Sequence, residues 1–198
     1  ERIGRGIETL THEAMAAAYE KFPRDYRTRI EEFYLNKCFL INGREYLFSK
    51  DELMRCALVY SGAVDFVRDV YYRQLKKAPH PIDLELSIDE TESVTTALGH
   101  LFVSLELVDH NIKVTSLAPR FVGEFQKGID YIGDLETFES HLKEHAAIAR
   151  HFGYKLSIHS GSDKFKVFPL IGKHTCGLMH LKTSGTNWLE AVGTIAER

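Results

Sequence analysis

A short strand predicted at residues 154–158 runs into a group of side chains that could bind a metal or an anion. His159 follows this strand, and an imidazole there can act as a metal ligand or as an acid–base group. Ser160, Asp163 and Lys164 add a hydroxyl, a carboxylate and an ammonium group, which suit a hydroxyl-rich or anionic ligand. The spacing differs from that of a P-loop. The alternative for His159 is a hydrogen-bonded core histidine, but polar groups on neighbouring predicted strands favour a functional role.

Carboxylates are concentrated on and after the predicted strand at residues 83–89. Glu85 falls in mid-strand on the polar face, where burying a carboxylate is costly unless it is paired or binds a metal. We therefore expect Glu85 to be a general acid or base. For residues 89–92 the alternative is that they cap the helix that follows.

Two further strand exits carry cations and oxygen ligands. Arg120 can hold a carboxylate through two parallel hydrogen bonds, and Glu124 and Gln126 can offer oxygen atoms to a metal. A surface loop with an ion pair is the alternative for this segment. His180 and Lys182 share one strand face, and the Lys182 ammonium could neutralise a substrate carboxylate or an enediolate.

His141 and His145 are four positions apart on a predicted helix, a spacing that can bind a metal. Because the pattern of that helix is amphipathic, we expect both histidines on its solvent-facing surface.

The elements predicted after Pro81 alternate as β-α-β-α-β-α-β-α, which indicates a parallel α/β architecture. Polar and apolar residues alternate within each strand, whereas the strands of an open sheet covered on both faces would be nearly all apolar. A (β/α)8 TIM-like barrel with a polar interior mouth therefore fits best. Such a barrel typically needs about 250 residues. A chain of 198 residues predicts a partial barrel of about four to five β/α units.

The chain is predicted to divide near residue 80. Residues 1–80 would be a helical segment with a possible β-hairpin, either part of the barrel or an insertion, and residues 81–198 the C-terminal β/α units. The elements predicted before the division are a helix at 9–22, extended residues at 37–48 with a turn at Asn42-Gly43, and a long helix from a capping box at 49–52 to about residue 75.

The second part holds four predicted strands and four predicted helices. The strands cover residues 83–89, 112–117, 154–158 and 178–182, and the helices cover residues 92–108, 135–152, 164–173 and 187–197. Asp134 and Gly153 are expected to cap the second of these helices, and Pro169 to interrupt the third.

Composition excludes several classes of protein. The net charge of −3 argues against a general binder of nucleic acid or membrane surfaces. The apolar runs are far shorter than the roughly 20 residues of a membrane span. The first residues show no signal peptide, and Cys38, Cys56 and Cys176 lack metal-like spacing, so we expect a cytoplasmic protein with reduced thiols.

Five segments after Pro81 together resemble the tagaturonate epimerase family, and they occur in the expected order. They are LSIDETE at residues 86–92, LAPRFVGE at 117–124, KGIDYIGD at 127–134, LSIHSGSDKF at 156–165 and HLKTSGTNWLEA at 180–191. Several long segments in order are far more specific than one short motif, whereas the residues before Pro81 match less distinctively.

The resemblance implies a longer enzyme of hexuronate breakdown that interconverts D-tagaturonate and D-fructuronate with a divalent metal. It implies His159 as the first candidate metal ligand and Gln126 as a weaker one. Glu85 would be the acid–base carboxylate, with Asp89 and Glu90 as rivals.

The substrate would be a small keto-uronate. Its carboxylate would be held by Arg120, Lys164 or Lys182, with Ser160 and Asp163 as further substrate-binding residues. The alternatives are another metal-dependent sugar isomerase or class II aldolase on the same barrel, or a sugar-acid binding fragment without catalysis.

The inverted carbon of these substrates is β to the ketone, so its hydrogen is not acidified by the carbonyl. We therefore expect retro-aldol cleavage, rotation of the aldehyde and re-aldolisation, with a metal stabilising the enediolate. A transient oxidation would also invert the carbon, but no dinucleotide fingerprint is present.

Overall fold

The computed structural model describes residues 6–183 and 186–197, and for residues 8 and 186–190 it describes the backbone alone. The helices are α1 (His12–Tyr19), α2 (Arg24–Tyr34), α3 (Lys50–Arg73), α4 (Ala97–Asp109), α5 (Leu135–Phe152), α6 (Phe168–Thr175) and α7 (Thr186–Ala196). The strands are β1 (Cys38–Ile41), β2 (Arg44–Leu47), β3 (Glu85–Ser87), β4 (Ser116–Ala118), β5 (Lys155–Ile158) and β6 (Met179–Leu181). Short 3-10 turns lie at Ile7–Thr9 and Leu75–Lys77.

The hairpin and the long helix of the first part are confirmed. β1 and β2 pair antiparallel around Asn42 and Gly43, which both adopt positive φ angles as a two-residue hairpin turn requires. The Ser49 side chain accepts from the Glu52 amide while the Glu52 carboxylate accepts from the Ser49 amide, so the predicted capping box begins α3.

Helix α2 was not predicted. Pro23, expected only to follow the first helix, is the N-cap of α2, where its missing N–H costs no hydrogen bond. The α2 sequence is strongly polar and buries Ile30 and Tyr34. The ring of Tyr34 lies 5.1 Å from the ring of Phe102 on α4, so residues of both parts of the chain share the core.

Strands β3 to β6 form a four-stranded parallel sheet in sequence order, which confirms the parallel α/β architecture. The pairing register sets Glu85 opposite Ser116 and Ser157 opposite His180. Within the described residues the sheet ends at β3 and β6 and does not close on itself. The described residues therefore show the predicted parallel β/α units but do not confirm the predicted barrel.

The helices beside the sheet begin and end largely as predicted. The Asp134 side chain accepts from the Thr137 amide at 2.7 Å, and Gly153 ends α5 in the left-handed conformation. The expected interruption at Pro169 is wrong, because this proline lies in the first turn of α6 and helps to begin the helix. Helix α4 begins at Ala97 rather than residue 92, because Thr96 is its N-cap.

None of the described helices combines the length and the apolar character needed to cross a membrane.

Candidate active site at the polar face of the parallel sheet

A carboxylate from β3 contacts side chains of the three other strands of the sheet. The Ser116 and Ser157 hydroxyls each donate to Oε2 of Glu85 at 2.8 Å. His180 contacts the same oxygen through Nδ1, and Nε2 of His159 lies 2.8 Å from Oε1. Because the four strands are parallel and in register, their polar alternate positions meet on one face around Glu85.

His159 bridges two carboxylates. Its Nε2 atom contacts Glu85, and its Nδ1 atom lies 2.8 Å from Oδ2 of Asp89. A neutral imidazole carries one N–H, so donation to both carboxylates requires the protonated ring. The hydrogen bond to Asp89 raises the pKa of His159, burial opposes the rise, and Glu85 adds to it.

Glu85 is held as an anion. Burial of this half-buried carboxyl opposes ionisation, but hydrogen bonds from His159, Ser116 and Ser157 outweigh that effect and lower its pKa to about 2. A carboxylate with so low a pKa is a weak base near neutral pH. Its geometry suits holding a cation or orienting the two histidines.

A cleft of about 300 Å³ adjoins this cluster at the carboxyl ends of β3, β4 and β5. This is the edge where α/β enzymes place their chemistry. It brings together five of the residues predicted from the sequence: Asp89, Arg120, Gln126, His159 and Ser160. The predicted metal-ligand candidate Glu124 also lines it.

Arg120 is exposed on the wall of the cleft, and its guanidinium donates one hydrogen bond to the carbonyl of Thr91. Within the described residues, the other N–H groups of this side chain make no hydrogen bond, so they could donate to a bound anion. Gln126 is also exposed, and its amide nitrogen donates to the Glu124 carboxylate. Its amide oxygen accepts no hydrogen bond from the described residues.

Lys164 does not face the cleft. Its side chain is fully buried, and Nζ donates to the carbonyls of Gln126 and Ile129 at 2.6 Å and of Ser162 at 2.9 Å. An ammonium has three protons, so all its donors are used. The predicted contact of Lys164 with a substrate is not supported by this geometry, because the side chain instead ties two loops together.

Three further predicted residues do not line the cleft. Glu90 and Lys182 are exposed, and Asp163 is partly buried with Oδ2 unpartnered among the described residues. Ser160 and Asp163 both adopt left-handed backbone conformations, which are uncommon for these residue types. Ser184 and Gly185, in the family segment at residues 180–191, lie outside the described residues.

Sequence reasoning missed Ser116 and Ser157, which contact Glu85. Both serines could have been identified from the sequence, because each occupies an alternate strand position on the polar face. Ser116 also pairs in register with Glu85.

A family model described as tagaturonate epimerase matches residues 1–198. The chain belongs to the tagaturonate epimerase family. It is 45% identical over 193 residues to a tagaturonate/fructuronate epimerase of Thermotoga maritima, covering 97% of this chain and 40% of the relative. The chain therefore spans about two fifths of the length of that curated relative.

Solved structures agree with this membership. The native fructuronate-tagaturonate epimerase of Cohnella laeviribosi superposes with a TM-score of 0.92 and 47% identity, over 96% of this chain and 39% of the other. A complex of that enzyme with two glycerol molecules gives a TM-score of 0.94 and 46% identity, over all of this chain and 40% of the other.

The side chains of the cluster carry oxygen and nitrogen donors of the kinds that divalent cations bind, but they are not arranged as a preformed metal site. Glu85, Asp89 and His159 offer carboxylate oxygens and imidazole nitrogens. Oδ1 of Asp89 is buried and finds no hydrogen-bond partner among the described residues, which is unusual for a buried acceptor. Both ring nitrogens of His159 face carboxylates, and in the described ranges no group of three or more His, Cys, Asp or Glu side chains is arranged to hold a metal.

The expectation that His141 and His145 lie on the surface is wrong. His145 is fully buried and His141 partly buried, on the face of α5 that packs against α4. The helical period explains this, because His145 lies seven positions after the buried Phe138 and three after the buried Leu142. These histidines join His100 of α4 in a buried cluster behind the cleft.

Proposed function

We propose that this chain forms part of the active site of an enzyme that interconverts D-tagaturonate and D-fructuronate. The observation that carries this proposal is the Glu85–His159–Asp89 cluster beside the cleft, in a member of the tagaturonate epimerase family. The names of the relatives from Thermotoga maritima and Cohnella laeviribosi support the choice of substrates.

The chemistry of the substrates favours retro-aldol cleavage. A base removes the hydroxyl proton at the carbon β to the ketone, that oxygen becomes an aldehyde, and the adjacent carbon–carbon bond breaks. The electron pair of that bond moves onto the ketone as an enediolate. Rotation of the aldehyde, re-formation of the bond and return of the proton give the epimer. The overall reaction consumes no oxidant or reductant.

Asp89 is better placed than Glu85 to move the hydroxyl proton. It lines the cleft, and its Oδ1 atom has no partner among the described residues. Glu85, by contrast, receives hydrogen bonds from Ser116, Ser157 and His159 and is held as an anion. Glu90 is exposed and lies outside the set of residues that line the cleft.

Arg120 is the residue that we assign to the substrate carboxylate. Its guanidinium forms part of the cleft wall, and a planar guanidinium can hold a carboxylate through two parallel bonds. Ser160, on the same wall, would contact a substrate hydroxyl.

We further propose that the active enzyme is metal-dependent. His159 and Glu85 would hold a divalent cation, with Gln126 from the cleft wall as a weaker ligand. A bound divalent cation would supply Lewis-acid stabilisation of the enediolate oxygen. We also propose a cytoplasmic location for the enzyme, and a (β/α)8 barrel completed by strands outside this chain, since the relatives are longer.

The decisive experiment is an assay of the full-length protein carrying this sequence, with each uronate, in deuterium oxide. We expect interconversion without solvent deuterium at the inverted carbon. Deuterium at that carbon would exclude the retro-aldol route, and absence of turnover with both uronates would exclude the epimerase assignment. Dialysis against a chelator should abolish turnover, and added divalent metal should restore it; activity that survives chelation contradicts the metal requirement.

A further inference from the structure

We propose that Thr95 is a positioning residue that fixes the backbone of Arg120 at the cleft, and that a buried histidine–tyrosine chain fixes Thr95 in turn. Thr95 lies outside the catalytic cluster and does not line the cleft. The kinetic part of this inference rests on the proposed epimerase function, whereas its structural part does not.

Thr95 holds Arg120 by both backbone polar groups. The Thr95 amide donates to the carbonyl of Arg120 at 3.0 Å, and the Arg120 amide donates to Oγ1 of Thr95 at 2.9 Å. Thr95 is fully buried, so water cannot readily replace either bond. With the guanidinium bonded to the Thr91 carbonyl, the segment before α4 holds Arg120 at three points.

The carbonyl of Thr95 is fixed from behind by two rings of α5. Nε2 of His141 lies 3.0 Å and Nε2 of His145 lies 3.1 Å from this oxygen, and the two Nε2 atoms lie 3.1 Å from each other. The tautomers of the two rings determine which one donates to the carbonyl.

Hydrogen bonds further along the chain decide the tautomers. The Ser104 hydroxyl donates its one proton to the His100 carbonyl at 2.8 Å, so it accepts from the Tyr154 hydroxyl at 2.6 Å. The Tyr154 proton is then used, so Nε2 of His100 donates to Tyr154 and Nδ1 of His145 donates to Nδ1 of His100, each at 2.7 Å. Nε2 of His145 is left as an acceptor for His141, with every group neutral. Burial lowers the pKa of His100 to about 3, and burial likewise lowers that of His145, so the neutral rings persist at neutral pH.

The contact with Thr95 gives this costly polar cluster a role. Burying three histidines in a helix interface is unfavourable, and Nδ1 of His141 is buried without a hydrogen-bond partner among the described residues. At one end the cluster contacts the carbonyl of Thr95. Thr95 in turn hydrogen-bonds to the backbone of Arg120, which lines the cleft with Asp89 and His159. A shift of the Arg120 backbone by a fraction of an ångström would move its guanidinium relative to both cleft residues.

The test uses Thr95→Val in the full-length protein, because valine keeps the shape but removes the acceptor for the Arg120 amide. We expect the KM for tagaturonate to rise about tenfold, the value for one lost hydrogen bond, with kcat changed less than about threefold. Deuterium exchange of the peptide that spans residues 119–125, followed by mass spectrometry, should become at least about tenfold faster. Thr95→Ser, which keeps the hydroxyl, should restore both values to near those of the natural protein.

Thr115→Val is the matched control, since it removes a threonine side-chain bond to Asp83 at the opposite end of the sheet. It should change neither the KM nor the exchange of residues 119–125. If Thr95→Val does not fold, His141→Leu removes the histidine donor to the Thr95 carbonyl and should raise the same exchange rate. Unchanged exchange in the folded variant, or failure of Thr95→Ser to restore it, would overturn the positioning role. A natural protein inactive toward both uronates would refute the epimerase function while leaving the exchange measurement decisive.

Discussion

Nε2 of His159 lies 2.8 Å from Oε1 of Glu85, although the two residues are 74 positions apart and their strands are not neighbours in the sheet. The contact crosses β4, whose Ser116 adds a hydroxyl to the same carboxylate. Three strands thus contribute to one ion pair. The side chains that make these contacts all come from the second part of the chain.

Replacing Asp89 by asparagine should lower kcat by at least about a hundredfold, because it removes the carboxylate assigned to the hydroxyl proton. Glu90→Gln is the matched control, since Glu90 is exposed on the same strand exit, and its kcat should stay within about twofold. Steady-state kinetics with tagaturonate measure both. Equal losses in the two variants would contradict the assignment of Asp89.

Lys164→Met should destabilise the protein by about 3 kcal/mol, because three carbonyls lose their donor inside the protein. Lys166→Met, at an exposed position two residues on, should change the free energy of unfolding by less than about 0.5 kcal/mol. Urea titrations of both variants give the comparison. If Lys164 contacted the substrate instead, its replacement would raise the KM while leaving the urea midpoint unchanged.

The sequence predicted the elements whose ends depend on local chemistry. Ser49 and Glu52, Asp134 and Gly153 mark helix ends by bonds within one turn, so their spacing is sufficient. Helix α2 lacks such a mark other than Pro23. It is held by contacts with α3 and α4, which no local pattern shows.

The candidate site was predictable as a list of residues on one strand face, but not as a set of partners. Alternation placed Glu85 and His159 on the polar face. Whether an ammonium points to the cleft or to buried carbonyls depends on loops distant in sequence, as with Lys164 and the carbonyl of Gln126, 38 positions away. The helical period of α5 indicates that His145 is buried. The prediction placed it on the surface because many polar residues surround it in the sequence.

Stability should fall as the pH drops from 6.5 towards 5, because His100 and His145 are neutral in the fold. Their folded pKa values lie below the unfolded value of 6.5, so below pH 6.5 the unfolded chain binds protons that the folded chain does not. Their contribution to stability is fully present above pH 6.5. It is lost as the pH falls towards their pKa values in the folded protein, which for His100 is about 3. Each histidine adds a slope of up to about 1.4 kcal/mol per pH unit.

The slope is measured by urea unfolding at several pH values between 5 and 6.5, above the range where Glu85 protonates. His100→Gln should reduce it by about the contribution of one histidine. His80→Gln, at an exposed loop position, should leave it unchanged. A slope that His100→Gln does not reduce would show that His100 is not held neutral.

Arg29→Met should cost about 3 kcal/mol, because it leaves a buried carboxylate without its cation. The Glu106 side chain is 3% exposed and pairs with Nη2 of Arg29 at 2.7 Å, while the Tyr34 hydroxyl donates to its other oxygen at 2.9 Å. Arg73→Met is the control, since Arg73 and Asp69 form an exposed i, i+4 pair whose loss should cost less than about 1 kcal/mol. Thermal and urea unfolding of both variants provide the values. The double variant Arg29→Met/Glu106→Gln should recover part of the lost stability, because it also removes the buried charge that the single variant leaves unpaired. If the double variant is instead as unstable as the sum of the two single changes, the two residues are not coupled.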